Sequence, residues 1–395
     1  MAAAASFVMP DVAGVARSAA LLQAGGLVAF PTETVYGLGA NALNGASVAS
    51  IFTAKGRPLT DPLIVHVLGK ESIYELFEFG DARQQARRVC ETLCDAFWPG
   101  PLTIISRASS AVPALVTANT GFVGLRAPKH AVCRRLLAAT KLPIAAPSAN
   151  RFGHVSPTSA AHVMADLHHV SGLLIMHDEA DSGGCSVGIE STVCRVAEDG
   201  GSVSVLRCGA VTTEDIRTAL AARGLMCAVT IANQKLVAVA KAEAEAAAVY
   251  DEESEAAVAP GQMVKHYSPD LPTYILPAIS AAPISAQTAL RGGSGASCSS
   301  APLSAVMVLD FGARLAHLEA LAACYVDLSP RGDAAEACQT VFHNLRYAES
   351  AELRQRGVAM LLVPDLRQAS VSDEGVRALW ERLHRAASGE SASVI

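Results

Sequence analysis

Short apolar runs bounded by glycine and proline recur along the chain, and the most telling pair lies within residues 27–67. Residues 27–30 (L-V-A-F) read as a buried strand, which Pro31 breaks. T-E-T-V-Y-G-L-G follows at once, setting Thr32, Glu33, Thr34 and Tyr36 beside Gly37 and Gly39. Those glycines suit a backbone that bends tightly and closes on a ligand. Lys55 and Arg57 stand in a K-G-R-P turn, and a second apolar run at residues 63–67 carries His66 inside it. Hydroxyls, a carboxylate and a histidine are out of place around buried strands unless they meet a ligand, so the active site is expected here.

The pattern around this stretch alternates. Helical periodicity covers residues 12–24, 46–54, 72–76, 81–97 and 129–140, and W-P-G-P stops the fourth of these at residue 98. Strands are expected at residues 102–107, 124–127, 143–146, 173–177 and 203–207, the third running straight into P-S-A-N at 147–150. S-P-T at 156–158 prepares a helix over 159–167, and a loop at 178–184 leads to a strand entry, G-I-E-S-T-V-C-R, at 188–195. A threonine cap starts a further helix within 209–216. Short strands ending in Gly or Pro predict a twisted, mixed-strand α/β sheet rather than a regular doubly wound one.

Past Leu225 the texture changes. Residues 241–259 are almost all Ala, Glu and Asp and read as a solvated linker, closed by A-P-G-Q-M-V-K-H-Y-S-P. Beyond it, strand-like runs at 273–276, 305–310, 325–328 and 358–363 alternate with helices near 333–350 and 373–387. They predict a second, smaller, open α/β (Rossmann-like) domain with a flexible Ala/Ser/Gly-rich insertion at 277–302. The expected division is residues 12–228, a linker at 229–270, and residues 271–395.

At 395 residues the chain is too long for one ordinary core. Its hydrophobic share of 51% contains no run that approaches a membrane span, so no membrane association is expected. The N-terminus lacks a basic start followed by a long apolar segment, which points to a cytoplasmic location. A net charge of -6 argues against broad nucleic-acid binding but leaves room for a local basic cleft. Ten cysteines include no C-x-x-C pair, so Cys90 and Cys94, four apart on a helix, read as buried reduced thiols rather than zinc ligands. Walker, G-x-G-x-x-G and H-E-x-x-H patterns are absent.

Each candidate residue has a plain alternative. Lys55 and Arg57 suit phosphate oxygens, or form a solvated basic turn. Ser148 and Asn150 end a strand where α/β sheets bind ligands, or make an ordinary turn. His66 is a ligand group or a satisfied core histidine. Arg126 in V-G-L-R-A-P pairs with a ligand carboxylate or with a structural acid, and Glu190, Ser191 and Thr192 form another polar cluster at a strand entry.

F-P-T-E-T-V-Y-G-L-G, K-G-R-P with P-L-I-V-H-V, A-P-S-A-N with S-P-T, and G-I-E-S-T-V occur together and in order. In this the chain resembles the threonylcarbamoyl-AMP synthase family, whose core is the YrdC-like domain. The K-H-Y-S-P segment and trailing α/β domain resemble the family's longer, two-domain branch. The resemblance implies a basic cleft and conversion of L-threonine, bicarbonate and ATP into threonylcarbamoyl-AMP and pyrophosphate. It also implies that a separate transferase complex consumes the product in modifying tRNA, with at most a weak tRNA contact by the chain itself.

By the same resemblance Lys55, Arg57, Ser148 and Asn150 form the catalytic set. Arg57, Asp61, Ser148, Ser156, Arg207 and His266 would bind ATP, while Thr34, His66, Arg126, Ala146 and Ser191 would hold threonine. Mg²⁺ would come with ATP, held by phosphates rather than by a protein metal site. Asp61 stands where the family often has Asn, and Gln262, Met263 and Val264 replace a more usual Met-basic-aromatic run. Lys265, His266 and Tyr267 are expected to close over the cleft and keep water from a labile mixed anhydride. Two other readings compete: a double-stranded RNA or tRNA binder without synthase activity, and a carbamoyl transferase of the hydrogenase-maturation type, whose acylphosphatase module and C-x-x-C pairs are not seen.

Overall fold

The computed structural model describes residues 4–177, 185–232, 266–277, 284–285, 287–293 and 299–394. The chain divides into two compact units: Met1–Phe152 with Pro157–Met263, and Gly153–Ser156 with Val264–Ile395.

The first unit is built on an eleven-stranded mixed sheet. Its strands are β1 (Ser6–Val8), β2 (Val28–Phe30), β3 (Gly37–Asn41), β4 (Ile64–His66), β5 (Leu102–Arg107) and β6 (Phe122–Arg126). β7 (Ile144–Ala145), β8 (Leu174–Met176), β9 (Thr192–Val196), β10 (Ser202–Arg207) and β11 (Ala228–Ile231) complete it. They lie in the order β1-β8-β2-β3-β7-β4-β6-β5-β9-β10-β11. Parallel pairs such as β4 with β6 and β5 with β9 alternate with antiparallel ones such as β2 with β3 and β5 with β6. The mixed α/β sheet expected from the short strands is therefore present.

One face of the β1–β7 half carries the helices Val12–Gln23 and Ala131–Thr140. Leu22, Val28, Phe30, Leu136, Ile144 and Met176 pack together there in a single apolar cluster. Each such Leu or Phe contributes about 1.5–3 kcal/mol by leaving water. The core thus holds the roots of the strands whose ends carry the polar groups.

Helix Gly45–Lys55 sets the first cations. The Asn44 side chain caps its start at Ser47 N–H, and Gly56 ends it in the left-handed region at φ 63°. Lys55 therefore sits in the last turn and Arg57 just beyond it. Between residues 207 and 221, Thr212 and Asp215 form a reciprocal capping box at the start of helix Thr213–Ala221, as the threonine there predicted.

Gly37 and Gly39 correct the expectation of a ligand-hugging loop. They belong to β3, paired with β2, and neither has a positive φ. Their smallness is a packing requirement: a Cβ on Gly39 would lie 2.6 Å from Phe30 and 2.7 Å from Ile144. Close neighbours on both sides, rather than a turn, explain these glycines.

In the second unit, β12 (Thr273–Leu276), β15 (Val306–Asp310), β16 (Cys324–Asp327) and β17 (Met360–Pro364) form a parallel sheet in the order β12-β17-β15-β16. Helices Ala334–Tyr347 and Glu374–Ala386 alternate with these strands, as the open α/β reading requires. The supposed flexible insertion at 277–302 needs correction where it is described. β13 (Ala289–Gly292) and β14 (Ser299–Pro302) pair antiparallel, and β18 (Ala392–Val394) adds to β13. Small residues there serve tight strand packing, since a Cβ on Gly292 would lie 2.3 Å from the Tyr274 ring.

The acidic-alanine tract, residues 260–265 with Lys265, and the loop at 178–184 lie outside the described residues. Tyr267 is a core residue of the second unit, 1% exposed, with its ring 5.2 Å from that of Phe342. His266 is buried beside it, ring to ring at 4.4 Å.

Candidate active site

The site begins with two strands in register. β4 and β6 run parallel with His66 opposite Arg126 at their carboxyl ends, so both side chains leave the same face. Arg126 Nη1 donates to Thr34 Oγ1 at 2.8 Å and its Nε to the Gly100 carbonyl at 3.3 Å. Its Nη2 lies 2.8 Å from Glu33 Oε1, an ion contact without the alignment of a hydrogen bond. The Lys129 amide donates to the other Glu33 oxygen at 3.0 Å. Thr32 and Thr34 share a hydroxyl contact of 2.8 Å, and Thr32 Oγ1 donates to the Val35 carbonyl, which fixes the turn after β2.

Charge in this buried cluster is controlled. Burial pushes the Glu33 carboxyl up, but Arg126 and the Lys129 amide outweigh it and hold the group below its usual range. Burial and the Arg126 charge drive His66 down to about 3, so its ring is neutral near pH 7. Glu33 Oε1, Arg126 Nη2 and His66 Nδ1 are buried, and none has a hydrogen-bond partner among the described residues. Glu33 Oε1 and Arg126 Nη2 offset each other through their ion contact, whereas an unpaired buried nitrogen such as His66 Nδ1 costs about 1–3 kcal/mol, a cost that a bound polar ligand removes.

His66 makes stability pH-dependent. Its folded pKa lies below its unfolded value of 6.5, so its contribution is present above about pH 6.5 and is lost as pH falls toward 3. The limiting slope is about 1.4 kcal/mol per pH unit. Urea midpoints of the wild type and His66→Gln between about pH 7.5 and 4.5 should show a steeper acid loss in the wild type. Parallel curves would refute the assignment.

Next to this group lies the Lys55 cluster. Lys55, 5% exposed, donates from Nζ to the Ser148 carbonyl at 2.6 Å and to the Asn150 carbonyl, with Asn150 Oδ1 at 3.4 Å. Ser148 Oγ donates to Asn150 Oδ1 at 2.5 Å. P-S-A-N is held as if it prolonged the sheet: Ser148 bridges Gly37, Ala146 N–H bonds Ile64 O, and Ala149 N–H bonds Tyr36 O. Ala146 therefore joins β4, which carries His66, to the Lys55 cluster. Arg57 forms a buried pair with Asp61 at 2.9 Å and donates to the Pro62 carbonyl at 2.9 Å. The acid at position 61 is thus neutralised within its own turn.

A third group lies across β5 and β9. Ser191 Oγ meets Thr103 Oγ1 at 2.8 Å, and Arg207 donates to Ser191 Oγ at 3.2 Å and to its carbonyl at 3.1 Å. Arg207 and Ser191, expected on nucleotide and threonine sides respectively, thus touch directly. Ser156 and His266 belong to the second unit. Thr103, a wholly buried hydroxyl, escaped the sequence reading; its only signal was a polar residue in the apolar run L-T-I-I. Glu33 stands out in the T-E-T cluster of the sequence, whereas its pairing with Arg126 depends on the fold.

Among the described residues, His154, Asp270 and Glu349 of the second unit bring potential metal-ligand atoms within 4.8 Å of one another. Glu349 already accepts from the Asp270 amide and contacts His154 Nε2 at 3.0 Å. No described helix is long and apolar enough to cross a membrane. The described cysteines are free thiols, and burial raises those of Cys90 and Cys94.

Known protein families match most of the chain. The Sua5/YciO/YrdC family model, described as telomere recombination, matches residues 20–209, and the model of the threonylcarbamoyl-AMP synthase C-terminal domain matches residues 211–388. The threonylcarbamoyl-AMP synthase of Alkalilimnicola ehrlichii is 37% identical over 152 residues, which are 38% of this chain and 75% of that protein. The chain belongs to the threonylcarbamoyl-AMP synthase family. The synthase of Pyrococcus abyssi is 37% identical over 252 residues, and the chain spans just under two thirds of its length, 64% of each protein. The crystal structure of P. abyssi Sua5 complexed with L-threonine matches with a TM-score of 0.67 at 27% identity, covering 97% of each chain. Family membership accounts for four polar motifs occurring in order along the chain.

Proposed function

We propose that the chain is an L-threonylcarbamoyladenylate synthase. The observation that carries this reading is the set of three buried atoms, Glu33 Oε1, Arg126 Nη2 and His66 Nδ1, left without hydrogen-bond partners at adjoining strand ends. A small zwitterion with a hydroxyl, such as threonine, offers the carboxylate and the polar side chain that such a pocket lacks. The relatives' shared name and the threonine-bound P. abyssi structure support the same substrate.

In this reading the threonine amine attacks the bicarbonate carbon, water leaves, and a carbamate forms. A carbamate oxygen then attacks the α-phosphorus of ATP, and the bond to the bridging oxygen breaks to release pyrophosphate. Negative charge grows on the phosphoryl and leaving oxygens, so fixed cations and dipoles matter more than a covalent nucleophile. Lys55 and Arg57 supply the cations, with Ser148 and Asn150 beside Lys55 and Arg207 on the nucleotide side. Arg126 receives the threonine carboxylate, with Thr34, His66, Ala146 and Ser191 around the rest.

Mg²⁺ would neutralise phosphate charge when bound with ATP. The neutral hydroxyl and amide of Ser148 and Asn150, with nearby acids already paired to Arg57 and Arg126, fit an ion held mainly by phosphates. The product would pass to a tRNA threonylcarbamoyl transferase complex. Pyrophosphate release from ATP, measured with threonine and bicarbonate added singly and together, tests the reading. Strict dependence on both is expected. Release without threonine, or RNA binding indifferent to the amino acid, would reject it.

A further inference from the structure

We infer that Glu33 is a positioning residue for Arg126, setting the guanidinium that receives the amino-acid carboxylate; the inference deepens the functional reading and rests on it. Glu33 ties three segments together. Its Oε1 faces Arg126 on β6, its Oε2 accepts the Lys129 amide just past β6, and its carbonyl accepts the Val187 amide at 2.7 Å, four residues before Ser191. The side chain is 6% exposed, so these contacts act in a region of low dielectric.

The geometry of the ion pair is what points to this role. Thr34 takes Arg126 Nη1 and Gly100 takes Nε, but both are neutral and leave the buried charge uncompensated. Glu33 supplies the countercharge at 2.8 Å from Nη2. An aligned, two-bond carboxylate–guanidinium fork would occupy the edge that a ligand carboxylate needs. Here the approach is close but misaligned, and Nη2 keeps its donor capacity. Glu33 thus fixes the orientation and charge of Arg126 without taking the ligand's place. Because the Glu33 carboxyl is held below its usual range, the arrangement persists across the neutral and mildly acid range.

The test uses the full chain as wild type, Glu33→Gln and Glu33→Asp, measuring KM for threonine, KM for ATP and kcat. Glu33→Gln should raise the threonine KM about tenfold or more, equivalent to about 1.4 kcal/mol, and leave the ATP KM within about twofold. Glu33→Asp, which restores the charge on a shorter arm, should recover a large part of the loss. An unchanged threonine KM in Glu33→Gln, or equal increases in both KM values, would overturn the proposal. Absence of threonine dependence in the wild type would instead reject the functional reading. In that case the Arg126 Nε–Hε resonance, assigned with Arg126→Lys, decides: it should be slow to exchange in the wild type and fast in Glu33→Gln, and no change would overturn the proposal.

Discussion

Substituting Lys55 by methionine is expected to lower threonine- and bicarbonate-dependent pyrophosphate release by about 10²–10³-fold, the range seen when one preorganised electrostatic group is lost. Methionine preserves much of the side-chain volume but removes the charge that stands beside Ser148 and Asn150. The effect should fall on kcat, because a cation facing developing phosphate charge acts more on the transition state than on the bound ground state. The threonine KM should stay within about threefold of wild type, since Lys55 is bonded to Ser148 and Asn150 whereas Arg126 is bonded to Thr34 and paired with Glu33. Two carbonyls also lose a donor, so stability should drop by about 1–3 kcal/mol, measurable by urea unfolding. A variant that keeps more than a tenth of the wild-type kcat would remove Lys55 from the chemistry.

Arg126→Met should produce the largest stability loss. It strands the Glu33 carboxylate, 6% exposed, without its countercharge. Breaking a buried pair from one side costs about 3–5 kcal/mol, whereas replacing both partners with neutral groups is often nearly neutral. The double variant Arg126→Met with Glu33→Gln should therefore recover most of the unfolding free energy while threonine-dependent turnover stays lost. That divergence separates the structural role of the pair from its role in binding. If the double variant unfolds as readily as Arg126→Met alone, the countercharge account of Glu33 fails.

What the sequence disclosed, and what it hid, follows the range of the interactions concerned. Helix Gly45–Lys55 was readable because its ends are local: Asn44 caps the start and Gly56 releases the end. His66 was readable as an intruder in an apolar run. P-S-A-N stood out because its proline and polar side chains end a strand abruptly. Gly37 and Gly39 misled, because their reason is the bulk of Phe30 and Ile144 pressing from neighbouring strands. The same holds for β13, which pairs with the nearby β14 on one edge and with the far more distant β18 on the other. Composition alone made that segment look unstructured.

For the candidate site, residue types were legible and pairings were not. Arg126 had two competing readings, a ligand partner or a structural ion pair. The geometry supports the second directly, through Glu33, and leaves Nη2 able to serve the first. Thr34 and Arg126 lie 92 positions apart, and only the strand order brings the β2–β3 turn to the end of β6. Thr103 gave almost no warning, because a single threonine in a strand is ordinary β chemistry.

The way P-S-A-N is anchored has a consequence for turnover. Ala146, Pro147, Ser148 and Ala149 are laced by main-chain bonds to Ile64, Leu38, Gly37 and Tyr36. A segment bound on both sides in this manner is a floor, not a hinge. In the proposed reaction, substrates would then arrive at, and products leave from, a surface that stays put from one cycle to the next, and selectivity among small amino acids would be settled by fit to a rigid mould rather than by adaptation to the guest.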